Sequence, residues 1–429
     1  METIKRGVKP KTARQLLPQE AYTSQSWFDK EQRDLFSKVW TFACSMDDVP
    51  NPGDYYCVQV GLYPMVVIHG RDGNVRALHN VCRHRGAAIL EGTGNMKGTL
   101  TCPYHRWSYN TDGKLRGIPQ QQELFDANIK KCELNLKAGS LGNFRNLLFI
   151  HPQAVPDETF DEYLADLPEH SWPAKTENLK VITRVEWAMN CNWKSFVENA
   201  QDGYHLSHLH KDTLQGPTTQ AQDWRPHGRH WHWSGNDSIL QTSMERMTTK
   251  EKAKVTLNAL MTNWTPLEGV DINTYGGEVF GFFPSFLVQP LLDNVGFAKL
   301  VPVSPTKTLL EVFIMVAPWK NNREKAQRLK TLADFAPLPG VGYRKDGNVN
   351  IDRPITLKDI EGHALDSGNF HIEDVWQVEM VNKGTLSPAY EVGPLSGANG
   401  ETALTYFQQM VLDYLAENAD KRETQPIPA

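Results

Sequence analysis

The stretch that decides this chain reads Cys82-Arg83-His84, then seventeen residues, then Cys102-Pro103-Tyr104-His105. Each half offers one thiolate and one imidazole from a short loop. Two thiolates on one iron and two imidazoles on the other are the mixed ligand set of a [2Fe–2S] cluster of raised potential. Cys82 and Cys102 then form the sulfur pair, and His84 and His105 the nitrogen pair. Gly86 and Pro103 shape the loops, and Trp107 is placed to keep bulk water off a cluster. A structural zinc site is the competing reading, but zinc loops commonly space their ligands by two to four residues, and Cys-x-His is tight for that.

Around these loops the sequence reads as short strands. Tyr55–Val60 and Met65–His69 lead to Asp72-Gly73, a step that suits a tight hairpin, and Asp112-Gly113 follows Trp107-Ser108-Tyr109 in the same way. The pattern predicts a small antiparallel β domain over residues 41–155, with the Cys/His strings at its loop tips. Residues 1–40 read as an arm followed by a helix. That helix is predicted to start at Ser26 with Asp29 as its capping-box partner, and to carry Phe28, Leu35, Phe36 and Val39 on one face.

A second string lies about a hundred residues on: Asp202-Gly203-Tyr204-His205-Leu206-Ser207-His208-Leu209-His210. Two histidines and one distant carboxylate make an open non-haem iron site. On a regular helix five residues turn through about 500°, so spacing alone pairs His205 with His208 rather than with His210. Trp193–Gly203 is helical in character, and Val181–Met189, Val279–Gln289, Phe297–Val303 and Thr308–Val316 read as strands. Glu401–Leu415 is an amphipathic helix with Leu404, Phe407, Val411 and Leu415 on its face. These elements predict an α+β chain whose second, larger domain spans 156–417, with a tail at 418–429.

With these residues in view, the chain resembles the Rieske non-haem iron oxygenases, the terminal components of ring-hydroxylating and related systems. The likeness runs from Cys82-x-His84-x17-Cys102-x2-His105 through Asn192-Trp193-Lys194, Glu198-Asn199 and Asp202-x2-His205-x4-His210 to Glu373-Asp374, covering roughly residues 20–417. It implies a β domain carrying the Rieske [2Fe–2S] cluster and a helix-grip-like catalytic domain with an antiparallel sheet. It also implies Fe(II) held by His205, His210 and Asp374, with Asn199 near the metal. Asp202 is implied to bridge a cluster histidine of one subunit to an iron histidine of the next, and hence a homotrimer. Electrons are implied to come from NAD(P)H through a separate reductase, directly or through a ferredoxin, and a small β subunit is compatible with the pattern. No glycine motif for a flavin or nicotinamide occurs in the chain.

Composition agrees with a soluble enzyme. The net charge of −5 gives no reason to expect nucleic acid. No apolar run is long enough for a membrane span, and the first thirty residues lack the centre of a signal peptide, so a cytoplasmic location without membrane attachment is expected. Six cysteines in 429 residues are too few for a disulfide scaffold.

The substrate pocket is the least determined part. Arg225 or Arg229 could hold a substrate carboxylate, and Trp231, Trp233 and Trp264 could cage a quaternary ammonium, although alternating His and Trp also fit an ordinary strand. Phe280, Phe282, Phe283 and Phe286 read as core. The expected reaction is hydroxylation of a small aromatic compound, carboxylated ones included, in aromatic hydrocarbon catabolism. Hydroxylation or N-dealkylation of a betaine-like amine is the alternative.

Overall fold

The structure, a computed structural model, describes residues 12–126, 129–170, 176, 179–213, 222–235, 267, 278–290, 294–318, 321–322, 342–343, 349–350, 354–397 and 401–420. The chain divides into two compact units. One comprises Met1–Phe28 and Leu164–Asp413, and the other Asp29–Tyr163 and Tyr414–Ala429.

The N-terminal segment belongs to the first of these. Thr12–Arg14 (β1) pairs antiparallel with Pro394–Ser396. Two short helices follow, Glu20–Thr23 (α1) and Gln25–Glu31 (α2). The predicted start at Ser26 is corrected to Gln25: the Trp27 amide donates to Ser24 Oγ (3.4 Å), so Ser24 is the capping hydroxyl.

The unit around the Cys/His strings is built from three antiparallel sheets. Asp54–Val60 (β3), Tyr63–His69 (β4), Val75–His79 (β5) and Thr93–Asn95 (β6) form a sheet in the order β5-β4-β3-β6. Thr41–Ser45 (β2) joins Ser140–Phe144 (β10) and Leu147–His151 (β11), and Leu100–Thr101 (β7), Ser108–Tyr109 (β8) and Leu115–Gly117 (β9) make the third. Both Asp-Gly steps turn as expected, with Gly73 at φ +82° and Gly113 at φ +83°. The inward residues Val66, Ile68, Leu78, Leu100, Trp107 and Tyr109 form one core with Cys82 and Cys102.

The larger unit carries a seven-stranded antiparallel sheet. Its strands are Lys180–Met189 (β12), Gln222–His227 (β13), His230–Gly235 (β14), Glu278–Phe282 (β15), Phe286–Pro290 (β16), Asn294–Ser304 (β17) and Lys307–Val316 (β18), in the order β12-β18-β17-β16-β15-β14-β13. The run read as one strand at Val279–Gln289 is in fact a hairpin, because the chain reverses at Phe283-Pro284-Ser285. The helices are Leu167–His170 (α3), Trp193–Gln201 (α4), Leu206–Leu209 (α5), Phe370–Thr385 (α6) and Thr402–Asp420 (α7). Phe280, Phe282, Phe283 and Phe286 are all buried in the core of this unit. No helix among the described residues is long and apolar enough to cross a membrane.

Candidate metal centres

The two Cys/His loops repeat one another. In each, the cysteine amide donates to the carbonyl five residues on: Cys82 to Ala87 at 2.9 Å, Cys102 to Trp107 at 2.8 Å. The amide four residues on donates back to the cysteine carbonyl, from Gly86 at 2.9 Å and from Arg106 at 3.1 Å. That fourth residue is left-handed in both loops, Gly86 at φ +77° and Arg106 at φ +60°. Glycine adopts this conformation freely, whereas Arg106 is held there by the loop around it.

The reversal buries both cysteines and sets the imidazoles together. The His84 and His105 ring centroids lie 4.5 Å apart, and His84 stacks on Trp107 at 4.9 Å with planes 9° apart. The Tyr109 hydroxyl accepts from the Arg83 amide (3.0 Å) and lies 3.4 Å from Cys82 Sγ, where it can donate to sulfur. His84 Nδ1 is buried without a hydrogen-bond partner. Burial, and then the neighbouring His105, hold the His84 ring below its usual pKa and therefore neutral. A buried nitrogen left unsatisfied costs about 1–3 kcal/mol. Coordination removes that cost, so these residues fit a [2Fe–2S] cluster.

The second constellation is assembled by two capped helices that pack on each other. Asn192 caps α4 through the Lys194 amide (3.1 Å), and Asn369 caps α6 through the His371 amide (2.9 Å), just after Gly368 at φ +68°. The capped turn brings Asp374 to face α4. The following α5 is a single turn, so it ends before His210 and no helical phase links His210 to His205. His208 points out, exposed, with its ring against Tyr204. The pairing suggested by regular spacing is therefore corrected: His205 faces His210.

Three donors converge. His205 Nε2 and His210 Nε2 are 3.2 Å apart, and Asp374 Oδ1 lies 2.9 Å from His210 Nε2 and 3.6 Å from His205 Nε2. Ligands bound at right angles through bonds of roughly 2.1 Å sit about 3.0 Å apart. The triangle fits one metal ion with its remaining face open, and the two-histidine, one-carboxylate set suits Fe(II). Burial opposes ionisation of Asp374, but hydrogen bonds from His205 and His210 hold it below the usual carboxylate range.

Around the triangle each of the three side chains has a support. The buried Glu373 places Oε2 2.6 Å from His210 Nδ1 and 2.8 Å from Thr213 Oγ1. Asn199 Nδ2 donates to Asp374 Oδ1 at 2.9 Å. Asp202 Oδ1 accepts the amides of Tyr204 (2.7 Å) and His205 (3.2 Å), while its Oδ2 lies 3.3 Å from His205 Nδ1 outside hydrogen-bond alignment. Glu373 and Thr213 were missed as site residues. The adjacent acids Glu373-Asp374 were the available signal, one carboxylate for the centre and one for the histidine behind it.

A cavity of about 750 Å³ adjoins the triangle, bordered by Asn199, His205, Glu198 and Tyr390 among others. Glu198, Asp202, Asp212, Glu373 and Glu401 bring carboxylates to its lining, against one ammonium from Lys211. The candidate anchor Arg225 is exposed on β13 and does not line this cavity. Trp231 is buried against Gly281, and Trp233 donates to the Ala200 carbonyl of α4 (3.2 Å); neither lines the cavity. Trp264 lies outside the described residues.

Comparison with known proteins agrees with this geometry. Residues 176–417 match the model of the ring hydroxylating alpha subunit (catalytic domain), and residues 39–133 match that of the Rieske [2Fe-2S] domain. The chain belongs to the ring-hydroxylating alpha subunit family, and its cofactor complement is a Rieske [2Fe–2S] cluster with a mononuclear iron. It is 33% identical over 199 residues to the glycine betaine monooxygenase oxygenase subunit of Chromohalobacter salexigens, covering 46% of this chain and 44% of that one. It is 30% identical over 199 residues to the anthranilate 1,2-dioxygenase large subunit of Acinetobacter baylyi, covering 45% and 42%. These alignments thus span less than half the length of either relative. In fold it is similar to the quaternary ammonium Rieske monooxygenase CntA, with a TM-score of 0.70 and 22% identity over 94% of this chain and 96% of that one.

Proposed function

We propose that this chain is the terminal oxygenase of a multicomponent system. Electrons from NAD(P)H reach it through a separate reductase, directly or through a ferredoxin, and oxygen from O2 enters a small aromatic substrate, aromatic acids included. The observation that supports this most is the donor triangle of His205, His210 and Asp374 with its open face.

On this reading His205, His210 and Asp374 would hold the iron, and Cys82, His84, Cys102 and His105 the cluster. When bound, the cluster supplies single electrons and the iron the activation of dioxygen. The protein's residues do the positioning. Glu373 accepts from His210 Nδ1–H, which fixes the tautomer with Nε2 turned to the centre. Asn199 orients the Asp374 carboxylate by its amide. Asp202 spends one oxygen on the turn before His205 and keeps the other beside His205 Nδ1. That second oxygen would accept from His105 of a second copy, coupling the centres across a head-to-tail ring that we take as a homotrimer, with or without a small β subunit. Tyr204, 51% exposed, and the exposed His208 flank Asp202 and suit a docking face.

A second reading, oxidation of a betaine-like quaternary ammonium compound, is supported by the acidic side chains on the cavity wall, among them Asp202 and Asp212, which would attract a cation. The 33% identical relative is named for glycine betaine.

Single turnovers decide between them. Reduced, iron-loaded protein is exposed to air with aromatic acids or with betaine-like amines, following cluster absorbance and product mass. Faster reoxidation with an oxygen added to the aromatic acid supports the first reading, and coupled oxidation of the ammonium compound replaces it with the second. Absence of a visible cluster after anaerobic preparation overturns both.

A further inference from the structure

Besides the triangle, the described residues bring one other His/Asp group together. Asp166, His170 and His227 each offer a ligand atom within 4.8 Å of the other two. Asp166 and His170 are four apart at α3, so one helical turn sets them on the same side. His227 is the last residue of β13, beside the hairpin tip at Gly228. Asp166 Oδ2 lies 3.2 Å from His227 Nδ1 and 3.9 Å from His170 Nε2, and the two rings are 4.9 Å apart. A tetrahedral zinc ion with bonds of about 2.0–2.1 Å separates its donors by roughly 3.3 Å.

The buried member asks for a ligand. His227 is 3% exposed, yet neither Nδ1 nor Nε2 makes a hydrogen bond; the Asp166 carboxylate is near Nδ1 but off its bonding direction. A neutral imidazole carries one donor and one acceptor, and leaving both buried and unmet is costly. The backbone is bent to make this meeting. Ala165 and Gly228 are both left-handed, at φ +51° and +58°, and a Cβ on Gly228 would come within 2.7 Å of the Ala165 Cβ. The Tyr406 hydroxyl donates to the Gly228 carbonyl and holds the tip down.

We propose that Asp166, His170 and His227 form a second cation site, distinct from the iron centre, that takes Zn2+ or a similar first-row divalent ion. Two imidazoles and one carboxylate are the donors such ions prefer, with a fourth position left to solvent. The ion would staple α3 to the tip of the β13–β14 hairpin and so stabilise the folded state in proportion to its free concentration.

The test uses protein loaded with both cluster and iron. It is equilibrated with Zn2+, and zinc and iron are counted per chain by mass spectrometry alongside the melting temperature. One zinc beyond the iron is expected, with a zinc-dependent rise in Tm. His170→Ala and Asp166→Ala, both at exposed side chains, should each weaken zinc at least tenfold and abolish the rise while keeping iron. His210→Ala should keep the zinc that these variants lose. No extra zinc in the wild type, or equal zinc affinity in all variants, overturns the site.

Discussion

His210 Nδ1 and Glu373 Oε2 lie 2.6 Å apart, both side chains almost completely buried, so the histidine that faces the donor triangle is held from behind by a carboxylate. The pair fixes which imidazole nitrogen points into the donor triangle. Removing it leaves His210 free to rotate and its Nδ1–H unmet.

Glu373→Ala is therefore expected to lower iron affinity by roughly 10–100-fold while leaving the cluster intact. Glu373→Gln, which keeps an acceptor oxygen, should recover much of that loss. Iron content per chain, with cluster absorbance as the internal standard, measures both.

His210→Ala should lose the mononuclear iron, and His208→Ala should keep it, because His208 faces outward on α5. Equal iron retention in the two variants would show that the converged donors do not bind the metal.

Asp202→Asn separates capping from coupling. The amide oxygen can still accept from the Tyr204 and His205 amides, so the turn should stand. The second carboxylate oxygen is replaced by NH2 and can no longer accept from an imidazole. Both metals should remain bound while turnover falls by about 100-fold. Wild-type turnover in this variant would sink the bridging role.

Tyr109→Phe removes a hydroxyl that reaches Cys82 Sγ. A hydrogen bond to sulfur is worth more in the reduced, more negative cluster, so its loss should lower the potential. At about 1 kcal/mol the shift is roughly 40 mV for one electron. Protein-film voltammetry reads it, and an unchanged potential would mean the hydroxyl donates elsewhere.

Gly281→Ala places a methyl 2.0 Å from the buried Trp231 ring, across the β14–β15 pair. Overpacking there should cost about 1–3 kcal/mol, seen as a lower midpoint in denaturant with little change in cluster absorbance.

The cluster loops could be read from the sequence because their chemistry is local. Four candidate ligands of two kinds fall within twenty-four residues, and the Asp-Gly turns and short alternating strands around them point to the same small β unit. Strands β12, β17 and β18 were also visible as apolar runs, whereas Pro284 folds one run into the two strands β15 and β16. The stretch of alternating His and Trp near Trp231, read as one ordinary strand, is instead the β13–β14 hairpin, and His230, Trp231 and His232 in β14 are all buried.

The iron site divides differently. Ligand types were present in the chain, and likeness to a known family chose among them; spacing alone would have taken His208. Only the tertiary structure joins His210 to Glu373 and Asp374, more than 160 positions away, and Asn199 to Asp374 across 175. Neither periodicity nor propensity carries such information, because these contacts depend on where α5 stops and how α4 packs against α6. The Asp166, His170 and His227 group was invisible for the same reason. Its three donors become neighbours only when the β13–β14 hairpin closes on the turn at Ala165, where two left-handed residues let the backbones meet.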